Sequence, residues 1–100
     1  MNILQLKNGK VEIRKNNGAL VRTIGQGDAI SANFNNDQSL VVITTVKSKV
    51  EIRKENGALV RTIGSGNAKD ARWHGNDIAI STDKGKTELR KENGALIRTI

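Results

Sequence analysis

Apolar and polar residues alternate through most of this 100-residue chain, at the period of two that a half-buried strand requires. Met1–Lys7 (MNILQLK) is a short strand candidate, and Val11–Lys15 alternates Val-Glu-Ile-Arg-Lys. Between them Asn8-Gly9 suits a two-residue type I′ hairpin turn, whose central residues both need positive φ. Asn17-Gly18 turns the chain again, and Ala19–Ile24 returns as a strand. Pairing outward from that dipeptide sets Ile13 opposite Arg22 and Arg14 opposite Val21. Asp28–Phe34 carries Ile30, Ala32 and Phe34 on one face, and Asn35–Gln38 is a loop. Ser39–Val46 (SLVVITTV) is the most apolar run, and is expected to be a strand buried on both faces. Ala68–Trp73 and Asp77–Thr82 repeat the pattern on either side of a loop at His74–Asn76.

One hairpin is written three times: VEIRKNNGALVRTI at Val11–Ile24, VEIRKENGALVRTI at Val50–Ile63 and TELRKENGALIRTI at Thr87–Ile100. The first two copies differ only at Asn16/Glu55; the second and third differ at Val50/Thr87, Ile52/Leu89 and Val60/Ile97. Successive copies start about 40 residues apart, and each unit holds four strand candidates, which is the period of a β-propeller blade. The expected fold is therefore all-β, in blades of four antiparallel strands, about 2.7 blades per chain. Residues 1–27 would be an incomplete blade, 28–66 a second blade and 67–100 a third.

Composition narrows the function. Ile, Val and Thr carry the hydrophobic load, aromatics are 2% and proline is absent, all suited to strands. A net charge of +7 attracts acidic partners such as nucleic acid or polyanionic glycans, although a charged repeat copied three times multiplies whatever charge it has. With no cysteine there is neither a disulfide framework nor a thiolate site. The start is too short and polar for a signal peptide, and no run of about 18 apolar residues occurs, so no membrane insertion and a cytoplasmic location are expected.

The unit resembles a blade of the WD-repeat β-propeller family. Phe34 and Trp73 fall where that family's inner strand closes on an aromatic residue. Leu20–Ile24, Leu59–Ile63 and Leu96–Ile100 are similar to its outer strand, which often reads Leu-Arg-Thr-Leu. The family's Trp-Asp pair is replaced by Arg14-Lys15, Arg53-Lys54 and Arg90-Lys91, and its Gly-His dipeptide by Gly25-Gln26-Gly27 and Gly64-Ser65-Gly66. The hydrogen-bonded network those residues build cannot form here. The resemblance implies four-stranded blades arranged in a ring.

Fewer than three blades cannot close a ring, since rings hold about four to eight. The faces of the end blades would stay bare, and burying ~600 Å² at a junction is worth on the order of 15 kcal/mol gross. A ring completed by homo-oligomerisation is expected, with Ile3, Leu4, Leu6, Val11, Ile13, Ile78, Ile80 and Leu96 at the interface between chains. Two protomers would give about six blades and three about eight or nine. The alternative is a piece of a longer propeller with no stand-alone function.

No catalytic constellation is legible, no cofactor or metal is expected, and a non-enzymatic binding or scaffold module is the expected class. His74 is the sole histidine, with no nucleophile motif to serve. Arg72, Trp73 and His74 are candidate ligand contacts: Trp73 reads first as a core residue, the other reading being a stacking platform for a glycan. Asp28, Asn35, Asn36 and Asp37 fit turn chemistry better than a calcium loop. Arg14/Arg53/Arg90, Lys15/Lys54/Lys91 and Arg22/Arg61/Arg98 could form a basic belt for nucleic acid, but two aromatic residues offer few stacking surfaces. Glu51 and Arg53, two apart on one strand, are read as an ion pair between blades, worth little if exposed. A lectin-like or polyanion-binding propeller is the alternative function.

Overall fold

In the computed structural model, which describes residues 1–100, the chain forms eleven strands and no helix. β1 (Asn2–Lys7), β2 (Lys10–Lys15) and β3 (Leu20–Ile24) make a three-stranded first sheet. The second sheet is β4 (Ala29–Phe34), β5 (Leu40–Thr45), β6 (Val50–Lys54) and β7 (Leu59–Ile63). The third is β8 (Ala68–His74), β9 (Asp77–Thr82), β10 (Thr87–Arg90) and β11 (Leu96–Thr99). Within each sheet, neighbours in space are neighbours in sequence and run antiparallel. These are propeller blades, as the four-strand period requires.

The two kinds of Asn-Gly turn differ. Asn8 and Gly9 have φ of 53° and 80°, and Lys7 pairs with Lys10 across them, which is the two-residue type I′ hairpin. In the repeated hairpin the Gly18 N–H donates to the Lys15 carbonyl at 2.9 Å, and the Lys15 N–H donates to Ala19 at 2.9 Å. That is a three-residue loop ending on a left-handed glycine, with Gly18 at φ 90°. Ile13 does face Arg22, but a bulge follows and Arg14 pairs with Leu20, correcting the expected Val21. The side-chain carbonyl of Asn17 fixes the loop by accepting the Ala19 N–H, as do Asn56 and Asn93 in the other copies.

The core lies between sheets. Val11, Ile13, Ile24, Ala29, Val41 and Ile43 fill the junction of the first and second sheets, with Leu4, Ala32 and Phe34 against them. Val42, Val50, Ile52, Ile63, Ala68, Ala71, Ile78 and Ile80 fill the junction of the second and third, joined by Leu40, Val60 and Trp73. Successive residues of a strand face opposite ways, so β5 sends Val41 and Ile43 to one neighbour and Val42 to the other. Residues Val41 to Thr45 are all buried, as the SLVVITTV run predicts. Four residues expected at an interface between chains are corrected here: Val11, Ile13, Ile78 and Ile80 are at most 2% exposed, because the second sheet covers them within the chain.

Candidate interaction surfaces

The two internal junctions are built from the same parts. Ile24 of the first hairpin copy lies against Gly57 of the second, and Ile63 of the second lies against Gly94 of the third. Nearer the middle of the molecule the Ala29 N–H donates to the Gly9 carbonyl, and the Ala68 N–H to the Ser48 carbonyl, both at 3.0 Å. These bonds tie the inner strand of each sheet to a turn of the sheet before it. Trp73 adds a third tie: its ring N–H donates to the Asn33 carbonyl at 3.2 Å, while Asn33 Nδ2 donates to the Ala71 carbonyl at 3.0 Å.

Where the WD-repeat pattern would carry Trp-Asp, each copy carries an arginine clasp. Arg53 Nε donates to Glu51 Oε1 at 2.9 Å, and its Nη1 donates to the Gly57 carbonyl at 2.9 Å. Arg14 and Arg90 repeat both contacts, with Glu12 and Gly18 and with Glu88 and Gly94. The pair is formed within one strand rather than between blades, and it pins the turn that follows. Glu51 and Arg53 are each 8% exposed under the first sheet, so this pair is not a solvated one. A buried pair of this kind needs every donor and acceptor engaged to offset its desolvation.

Each junction mates two distinct faces. One carries the clasp and the turn glycine; the other carries the Val-x-Ile positions of the hairpin and its closing isoleucine. The first sheet leaves its clasp face uncovered, with Glu12, Arg14 and Gly18 on it and Ile3 and Gln5 exposed beside them. The third sheet leaves the opposite face uncovered, carrying Thr87, Leu89 and Ile100. Ile100 is 76% exposed, whereas its counterparts Ile24 and Ile63 are 3% and 5% exposed. Nothing lies within 4 Å of a β-carbon built on Gly18.

Of the expected interface set, Ile3, Leu6 and Leu96 are exposed and Leu4 is half-buried against the first junction. Arg72 and His74 are exposed and Trp73 is half-buried. A shallow cleft at one end of the second junction is lined by Asn35, Asn36, Asp37, Trp73, Gly75, Asn76 and Glu92. Arg72 and His74 do not line it. Asp37 is held below its ordinary value by the Ser39 hydroxyl and then by the Ser39 backbone N–H, both of which donate to its carboxylate. The Leu40 N–H donates to Asn35 Oδ1 at 3.0 Å, so this loop is turn chemistry. No group of three or more His, Cys, Asp or Glu residues comes together to hold a metal. Arg22, Arg61 and Arg98 are all exposed on β3, β7 and β11, the outer edges of the three sheets.

No family model matches the sequence, and no curated protein does. Among solved structures, a chain in the crystal structure of a mitotic checkpoint complex is similar, with a TM-score of 0.78 at 15% identity. The match covers all of this chain and 36% of that one. At that identity the likeness is one of fold: this chain corresponds to a section of a propeller.

Proposed function

We propose that the chain is a non-enzymatic binding or scaffold module of WD-repeat-like blades, and that further copies of itself complete its two open end faces. The observation that carries this is the repeated junction. The face left open on the first sheet and the face left open on the third are the two faces that already mate twice inside the chain. A head-to-tail contact between copies would reuse that geometry and continue toward a closed ring.

The pairing is also complementary in polarity. At the second internal junction Val50 and Ile52 pack with Ile78 and Ile80. At the open faces the corresponding positions are Thr87 and Leu89 on one side and Ile3 and Gln5 on the other, one polar residue on each. Sedimentation velocity over a concentration series tests the reading: a species heavier than one chain is expected, and a single-chain species at every concentration would refute it.

A second reading rests on the cleft. Trp73 is fixed by its bond to Asn33 and is surrounded by the polar side chains of Asn36, Asn76 and Glu92, a combination suited to a neutral sugar. A glycan array tests it, with binding lost in Trp73→Ala as the expected result.

A further inference from the structure

The first sheet has three strands where the others have four. The missing counterpart is the inner strand. Leu4 pairs with Ile13 and Leu6 with Val11, just as Val42 pairs with Ile52 and Thr44 with Val50, so β1 is the equivalent of β5. β5 has β4 on its inner side; β1 pairs with β2 alone.

The direction of the free backbone groups follows from the second sheet. There the Leu40 carbonyl accepts the Asn35 N–H at 3.0 Å. Backbone groups alternate sides along an antiparallel strand, so those of Val42 and Thr44 also point toward β4. By the same alternation the N–H and C=O groups of Leu4 and Leu6 point to the open side of β1. At Asn2, the equivalent of Leu40, a side chain takes the strand's place. Gln38 donates from Nε2 to the Asn2 carbonyl at 2.9 Å and accepts the Asn2 N–H on Oε1 at 3.0 Å. On the covered face of β1, Leu6 is 42% exposed, whereas Thr44 at the same place in the second sheet is fully buried.

We propose that the inner edge of β1 is a docking site for an extended peptide segment, which joins the first sheet as a fourth antiparallel strand. This site is a backbone edge beside the uncovered face of the first sheet, and the added strand's alanine and aromatic would lie on that face next to Gln5 and Ile3. The two resident inner strands define its occupant. β4 and β8 both place an alanine two residues before an aromatic, Ala32 with Phe34 and Ala71 with Trp73, on the side facing the preceding sheet. Between them stands a polar residue, Asn33 or Arg72. Both alanines pack into the junction with the preceding sheet. An amide at the Asn33 position would reach the Ala32 carbonyl, as Asn33 reaches that of Ala71. The partner is therefore a segment reading Ala-polar-aromatic, lying opposite Gln5, Leu4 and Ile3 in the register that β4 adopts on β5.

The test is a fluorescently labelled synthetic peptide with the sequence of residues 26–36 (QGDAISANFNN), titrated with the 100-residue chain. Anisotropy reports binding, and amide hydrogen exchange by NMR reports where. A second peptide carries N-methyl groups at the serine and asparagine whose amides would face β1. Saturable binding with slowed exchange at Leu4 and Leu6, weakened roughly tenfold or more by N-methylation, is the expected result. Three results would overturn the proposal: no saturable binding, equal binding of the N-methylated peptide, or protection confined to β5, where the peptide would have displaced β4 instead.

Discussion

Ile63 rests on Gly94: its Cγ2 is 3.2 Å from the point where a β-carbon on that glycine would sit. Ile24 and Gly57 repeat the relationship at 3.3 Å. The turn glycine thus serves twice, taking a left-handed conformation and letting the preceding sheet close on the hairpin. Gly57→Ala and Gly94→Ala should each lose about 1–2 kcal/mol from the backbone alone, since φ is 96° and 95°. Crowding against isoleucine adds to that loss. Gly18→Ala carries the backbone cost without the crowding, so urea midpoints measured at a dilution that leaves single chains should fall least for it.

The clasp gives a second comparison between copies. Arg53→Met strands the Glu51 carboxylate beneath the first sheet, and the expected loss is about 3 kcal/mol. Arg14 and Glu12 form the same pair on an uncovered face, their side chains 28% and 13% exposed against 10% and 11% for Arg53 and Glu51. With no sheet above it, the Glu12 carboxylate can turn to water once Arg14 is removed. Arg14→Met should therefore cost about 1 kcal/mol or less. Equal losses in urea denaturation would show that burial beneath the first sheet is not what makes the pair matter.

Core position and end-face position separate in the same way. Ile80→Ala opens a cavity in the second junction and should cost roughly 2–5 kcal/mol. Ile3→Ala on the half-exposed end face should cost about 1 kcal/mol or less in the single chain, because there is little packing to lose.

How much of this could be read from the residues differs by level. Period-two alternation and the copied hairpin identify the half-buried strands, because each has contrasting faces and a marked turn. The unbroken apolar run Ser39–Val46 identifies β5, which is buried on both faces. Pairing outward from Asn17-Gly18 places Arg14 opposite Val21 rather than Leu20, because Asn-Gly suits a type I′ turn and also a loop whose last residue alone is left-handed. The dipeptide does not distinguish them; the hydrogen bond from Gly18 to Lys15 does. Alternation also leaves unsaid which neighbour each face meets, so it does not reveal that the second sheet covers Val11, Ile13, Ile78 and Ile80 within the chain. One signal did point the right way. The three differences between the second and third copies, at Thr87, Leu89 and Ile97, all replace residues that pack on the third sheet in the second copy: Val50, Ile52 and Val60. The copies diverge where their neighbours differ.

The loop beside the cleft makes a prediction in pH. The Ser39 hydrogen bonds keep the folded Asp37 carboxyl below its ordinary value. Their stabilising effect is complete above the ordinary carboxylate range and fades as the pH falls toward the lowered folded value. Ser39→Ala should move the Asp37 titration upward, toward the ordinary carboxylate range, in an NMR side-chain titration. An unchanged midpoint would mean that the hydroxyl does not set it.

Light scattering coupled to size-exclusion chromatography tests the mating of end faces most directly, using the 10.9 kDa chain and Ile100→Asp side by side. The account predicts a mass that is a whole multiple of 10.9 kDa for the unaltered chain and 10.9 kDa for the variant, with both retaining the same strand content by circular dichroism. An unaltered chain that elutes at 10.9 kDa at every concentration, or a variant that keeps the full assembly, would contradict it.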